Sequence, residues 1–242
     1  MQYIASGRAS LATEVAGDGE TVVFLHANVC DRRMWRAQFD RMSATHKVVA
    51  YDRRGFGETR AEPEDFSALA DLVAVLEATA GGQPAILVGC SLGGRIALDA
   101  AVRHPSRVRA LVLIAPNVAG APDPVYAPDI EALMKQSKQA EASGDLERLN
   151  AMKARLWLDG PLALEGRVTG PARDLLLDMN GIALAPHRSD QTSIFNPSTT
   201  GFMRSRCLPL SSGVNSTSPM FRIAVATSSR QSRARRAMKC LT

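Results

Sequence analysis

The chain has 242 residues, 45% hydrophobic and 22% charged, which suits one domain with a sizeable core and is short for two. No basic leader precedes an apolar run, and no apolar stretch reaches spanning length, so a soluble, cytoplasmic protein without a membrane partner is expected. The formal charge of +5 would suggest a nucleic-acid partner if it were spread along the chain, but residues 187–242 hold nine Lys/Arg against one acid, Asp190, and the remainder is net acidic.

In chain order the first two thirds alternate between buried strands and helices, the pattern of a mostly parallel sheet covered on both faces. Residues 21–26 form a short β-branched strand and residues 47–51 another. Between them, residues 31–42 have a polar start and helical spacing through Met34, Trp35 and Phe39. Pro63, Glu64 and Asp65 are expected to open a helix that carries Leu69, Leu72, Val75 and Leu76 and stops at Gly81-Gly82. A strand over 85–88, a helix from about Leu92 to His104, and a strand over 109–114 follow. From Asp123 to about Met179 the spacing is helical throughout, as in a cap that shapes a pocket. These readings divide the chain into a core (1–117), a helical cap (118–180) and an atypical tail (181–242) that is expected to be disordered or out of frame. Cys30, Cys90, Cys207 and Cys240 lack metal-ligand or disulfide-framework spacing, so free thiols are expected.

The chemistry concentrates at Gly89-Cys90-Ser91-Leu92-Gly93. A serine with glycines at minus two and plus two, after a buried strand and before a helix, suits a strained turn that presents a nucleophile. The helix start offers N–H donors to developing negative charge. A serine that merely caps the helix is the plainer alternative. Acyl transfer needs two donors on the oxyanion. The N–H after the nucleophile, Leu92, supplies one, and the loop that ends Phe24-Leu25-His26-Ala27-Asn28 is placed to supply the other through Asn28. His26 reads as a packed loop residue and not as a general base, because the base in such an architecture follows the nucleophile in the chain.

Through Leu25-His26-Ala27-Asn28, Asp52-Arg53-Arg54-Gly55-Phe56-Gly57, Val88 to Gly94 and His104-Pro105-Ser106-Arg107-Val108, the chain resembles the α/β-hydrolase superfamily. It is most similar to the small esterases and the 3-oxoadipate enol-lactonase-like group. The motifs cover about residues 5 to 120, and Leu156-Trp157-Leu158-Asp159-Gly160-Pro161 in the cap is also similar. One departure is Ala27, where many members carry glycine. The resemblance implies an α/β-hydrolase fold with a helical cap, Ser91 as nucleophile, no metal and no organic cofactor. The Asp52–Gly57 loop is expected to order its turn and His104 to close its helix.

The resemblance also implies an acid after a later strand and a histidine near the C-terminus, and neither is visible. Asn117, at a strand end that some members use for the acid, cannot be an anion. His187 lacks an acid after an upstream strand, since Asp174 and Asp178 lie in a helical pattern. The change of composition near Pro186 suggests that residues from about 187 onward are an out-of-frame translation, leaving the C-terminal strands and helix missing or aberrant. Codons that combine one residue's third base with the next residue's first two allow Pro-Thr-Leu-Val-Val-Gly-Gly-Glu-Leu-Asp from Leu208 onward, the family's strand and acid. The acid would be encoded across Ser216 and Thr217, and the histidine would fall beyond Thr242.

Three functions follow. The first is a serine hydrolase for a small-molecule carboxylic ester or lactone, inactive as written if acid and base are missing. The second is a non-catalytic small-molecule or protein binding module on the same scaffold. The third, favoured by charge alone, makes the tail an RNA- or membrane-binding arm with steep salt dependence.

Overall fold

The computed structural model describes residues 1–118, 120–122 and 124–185, and the backbone of 222–226. His187, Cys207 and Cys240 lie outside these, as do the residues of the out-of-frame reading apart from 222–226. Among the described residues the fold is a mixed sheet with helices on both faces and a helical cap.

The sheet contains β1 (Gln2–Ser6), β2 (Ala9–Ala16), β3 (Thr21–Leu25), β4 (Lys47–Tyr51), β5 (Arg60–Ala61), β6 (Ala85–Cys90), β7 (Val108–Ile114) and β8 (Arg222–Ala226). Their spatial order is β1-β2-β4-β3-β6-β7-β8, with β5 pairing on β2. From β4 to β8 every neighbouring pair is parallel, while β1, β2 and β5 pair antiparallel at one side. The sequence reading begins at Thr21, so the β1–β2 hairpin is an addition to it. β8 lies within the tail segment, with Ile223 opposite Leu111 and Val225 opposite Leu113.

Alternation along the parallel strands builds two cores. Val22, Phe24, Val48, Ala50 and Val88 face one side, against Trp35 and Phe39. Trp35 stacks on Phe24 at 5.0 Å between ring centroids. Val23, Leu25, Val49, Tyr51 and Leu87 face the other side. There α2 (Ala68–Ala80) contributes Leu72, Val75 and Leu76, and α3 (Leu92–Arg103) contributes Ile96, Ala97 and Ala100.

The segment read as one helix over 31–42 is a 3₁₀ turn, Arg32–Trp35, followed by α1 (Arg36–Met42). The Asp31 side chain caps its start by accepting the Arg33 N–H. The helix expected from Pro63 begins five residues later, at Ala68, where Ser67 accepts the Ala70 N–H as N-cap. Glu64 is committed elsewhere. Its carboxylate pairs with Arg54 at 2.6 Å and accepts the Arg8 N–H at 2.6 Å.

The cap comprises α4 (Pro128–Ser143), α5 (Leu146–Ala154), a π-helical turn over Arg155–Asp159, and α6 (Pro171–Leu184). Buried Asp159 accepts the N–H groups of Gly166 and Val168 and pairs with Arg173, which organises the loop before α6. The cap docks on the loop after β3. Ala154, Leu176 and Met179 pack with Ala27 and Cys30, and Arg33 reaches Asp178 at 2.7 Å.

Arg32 ties the loop after β3 to the loop after β4. It is 8% exposed and pairs with fully buried Asp52, with Glu14 at 2.8 Å and with Glu58 at 2.6 Å. Asp52 also accepts the backbone N–H groups of Arg32 and Glu58. Removing the cation would strand a carboxylate in the interior. Arg32→Met is therefore expected to lower the unfolding free energy in urea by about 3–5 kcal/mol, with partial recovery in Arg32→Met/Asp52→Asn.

Candidate functional site

β6 delivers Ser91 and α3 leaves from it, so the serine occupies the joint between strand and helix. Its backbone lies at φ 52°, ψ −116°, a positive φ that is rare for a residue with a side chain. Three hydrogen bonds hold it there. The Ser91 N–H donates to Ile114 O, while the N–H groups of Asn117 and Arg95 donate to Ser91 O, at 3.0–3.1 Å.

The flanking glycines are required by contact. A Cβ on Gly89 would lie 2.6 Å from both the Gly93 carbonyl oxygen and the Gly94 Cα. A Cβ on Gly93 would collide with the Leu25 carbonyl oxygen, where α3 crosses the end of β3. Cys90 and Cys30 are free thiols, and burial pushes the Cys30 thiol up to about 12, so Cys30 is not a thiolate nucleophile.

Asn28 and Leu92 line the same cavity of about 280 Å³, together with Arg53, Arg54, Phe56, Phe66, Ala68 and Asp71. Among the described residues, no hydrogen bond takes up the Asn28 or Leu92 N–H. Two free backbone donors thus flank one cavity beside the serine.

The peptide that carries the Asn28 N–H is fixed from its other end. The Ala27 carbonyl accepts the Cys30 N–H at 3.2 Å, the His26 Nδ1–H at 2.8 Å and an Arg53 Nη2–H at 3.2 Å. His26 Nε2 in turn accepts the Arg53 backbone N–H at 3.0 Å. Both ring nitrogens of this fully buried imidazole are therefore engaged with the backbone in its neutral form. Burial, and then the Arg53 charge, hold its pKa well below the usual histidine value.

The other described histidines lie at the wrong end of the sheet for Ser91. His46 precedes β4, with Nδ1 at 2.8 Å from Thr45 Oγ1, while Ser91 follows the parallel strand β6. His104 closes α3, its N–H donating to Ala100 O, a full helix length from the serine. Among the described residues no histidine faces Ser91, and no cluster of three or more His, Cys, Asp or Glu side chains is arranged to hold a metal ion.

The Asp52–Gly57 loop does more than order its turn, because Arg53, Arg54 and Phe56 also form cavity wall. Arg54 is neutralised there by Asp71 at 3.0 Å and by Glu64. Sequence reasoning missed this wall. The available signal was two adjacent arginines one residue past the end of a buried strand, a position where at least one must find a partner inside the protein.

A family model described as "Alpha/beta hydrolase family" matches residues 22–239. The chain belongs to this family. A pimeloyl-[acyl-carrier protein] methyl ester esterase from Chromobacterium violaceum is 33% identical over 193 residues, 73% of this chain and 74% of that protein. A 2-(acetamidomethylene)succinate hydrolase from Mesorhizobium japonicum is 34% identical over 113 residues, 45% of this chain and 40% of that protein. Such shorter matches cover 36% to 44% of the relatives' own length, so this family member spans less than half of those proteins. Among solved structures, a carboxylesterase from Nitrososphaera gargenis is similar with a TM-score of 0.58 and 20% identity, covering 79% of this chain and 72% of that one. An alpha/beta hydrolase from Sphaerobacter thermophilus reaches a TM-score of 0.53 at 21% identity, covering 82% and 76%. Among the described residues no helix is long and apolar enough to cross a membrane.

The buried imidazole makes a pH prediction. The unfolded chain protonates His26 at about 6.5, whereas the folded chain resists protonation well below that. The contribution of His26 to stability is thus present above about pH 6.5 and is lost as pH falls, by up to about 1.4 kcal/mol per pH unit. Urea unfolding of wild type and His26→Asn should show a constant difference above pH 7 that shrinks toward pH 5.

Proposed function

We propose that the site is built to hydrolyse a carboxylic ester or lactone through an acyl-enzyme on Ser91. The hydroxyl oxygen attacks the carbonyl carbon, the Asn28 and Leu92 N–H groups receive the oxyanion, and its collapse expels the alcohol. Water then attacks the acyl-enzyme, releasing the acid and restoring the serine. The observation that carries this reading is the pair of free N–H donors on one cavity beside a serine held at positive φ. The esterase from Chromobacterium violaceum, which acts on a methyl ester, supports a carboxylic ester as the bond attacked. No metal or cofactor is invoked.

Turnover also needs a base near Ser91, and the described histidines are all engaged elsewhere or distant. The chain as written is therefore proposed to react with strong electrophiles at Ser91 but to turn over esters weakly. Loss of triad members leaves on the order of 10³–10⁴-fold over water, from the oxyanion donors and binding alone. The same lack favours a second reading, a binding module on a hydrolase scaffold. The out-of-frame origin of residues 187–242 would explain it, and a coding sequence whose alternative frame is closed by stop codons would end that explanation.

Incubation with an alkyl fluorophosphonate followed by mass spectrometry separates the two functions. The expected result is one adduct on Ser91, lost in Ser91→Ala. A folded protein that takes up no label would leave the binding module standing.

A further inference from the structure

Arg53 is buried at 6% exposure, yet among the described residues no carboxylate lies within ion-pair distance of it. Its Nε has no hydrogen-bond partner. Its guanidinium carbon lies 4.6 Å above the Phe56 ring, and one Nη2–H reaches the Ala27 carbonyl at 3.2 Å. Each neighbouring arginine is neutralised: Arg32 by Asp52, Glu14 and Glu58, and Arg54 by Asp71 and Glu64. A lone buried cation costs several kcal/mol of desolvation. It is retained in a protein where something else benefits from the charge.

The Ala27 carbonyl and the Asn28 N–H belong to one planar peptide unit, so they point in opposite directions. A donor on the carbonyl oxygen therefore sets the direction of the N–H. A charged donor there also polarises the amide and strengthens the N–H as a donor. We propose that Arg53 is a positioning residue for acyl transfer: its cation clamps the Ala27–Asn28 peptide from behind, aims the Asn28 N–H into the cavity, and adds positive potential where the oxyanion forms. The inference rests on Asn28 being an oxyanion donor as proposed above. No carboxylate touches it, and Asp52, whose charge also reaches it, is already paired with Arg32, so the field of Arg53 still reaches the developing negative charge in a site of low dielectric. Burial lowers its pKa only to about 10, so the charge is present at neutral pH. His26 and the Cys30 N–H bind the same carbonyl, but neither brings a charge.

The test measures the limiting rate and half-saturation of Ser91 phosphonylation by an uncharged alkyl fluorophosphonate, together with the ¹⁵N–¹H shifts of Asn28. Deleting an oxyanion donor costs about 10²–10³-fold, so Arg53→Met, which acts through one donor, is expected to lower the limiting rate by about 10-fold. Half-saturation should stay unchanged and the Asn28 amide should move upfield. Arg53→Lys keeps the charge and should stay within about threefold of wild type. Arg53→Gln keeps a donor for Ala27 without the charge; it should keep the Asn28 amide in place yet still lose rate, and it serves if the methionine variant does not fold. Wild-type labelling with equal limiting rates in the folded neutral variants would overturn the proposal. Absence of labelling in wild type would instead overturn the hydrolase reading.

Discussion

The site depends on one constraint, the sharp passage of the backbone through Ser91 from β6 into α3. A φ of 52° on a residue with a side chain costs on the order of 1–3 kcal/mol, and surrounding structure must hold it. Here the support comes from three hydrogen bonds to the serine backbone, two of them from the end of β7 and the residues just after it. Glycines at 89, 93 and 94 let strand, helix and the loop at Pro116 close on one another. The same closure puts the start of α3 against the end of β3, which brings the Leu92 N–H and the loop bearing Asn28 onto one cavity.

Charge is distributed around this joint in an uneven way. Arg32 and Asp52 form a tie between the loops after β3 and β4, in which burial raises the Asp52 carboxyl while the guanidinium and two backbone N–H groups oppose it. Arg54 and Asp71 form a second buried pair, beside the cavity. Arg53 stands between them with a peptide carbonyl in place of a carboxylate. Two arginines adjacent in sequence are therefore placed differently, Arg54 in ion pairs with Asp71 and Glu64, and Arg53 on the Ala27 carbonyl without an ion-pair partner.

Much of the core was legible because it rests on local pattern. β4 has the bounds its apolar run suggests, and β3, β6 and β7 agree to within a residue or two, since each is a short, largely apolar run bounded by turns. The glycine spacing around Ser91 was readable for the same reason: a small-residue requirement leaves a mark in a single sequence. What escaped depends on distant partners. The start of α2 moved because Glu64 is drawn to Arg54 and Arg8, an ion pair and a backbone contact that no window around Pro63 contains. The β1–β2 hairpin is partly exposed and earns its place by pairing with β4, a long-range event. The role of Arg53 depends on where Ala27 turns its carbonyl, which composition and periodicity do not encode.

In the proposed reaction the Asn28 and Leu92 N–H groups jointly receive the oxygen of a group bonded to Ser91. A crystal structure of the Ser91 phosphonate adduct tests it most directly. The phosphonyl oxygen is expected about 2.7–3.1 Å from both nitrogens, with the Ala27 carbonyl still held by Arg53. An adduct whose oxygen points to solvent, or touches neither N–H, would contradict it.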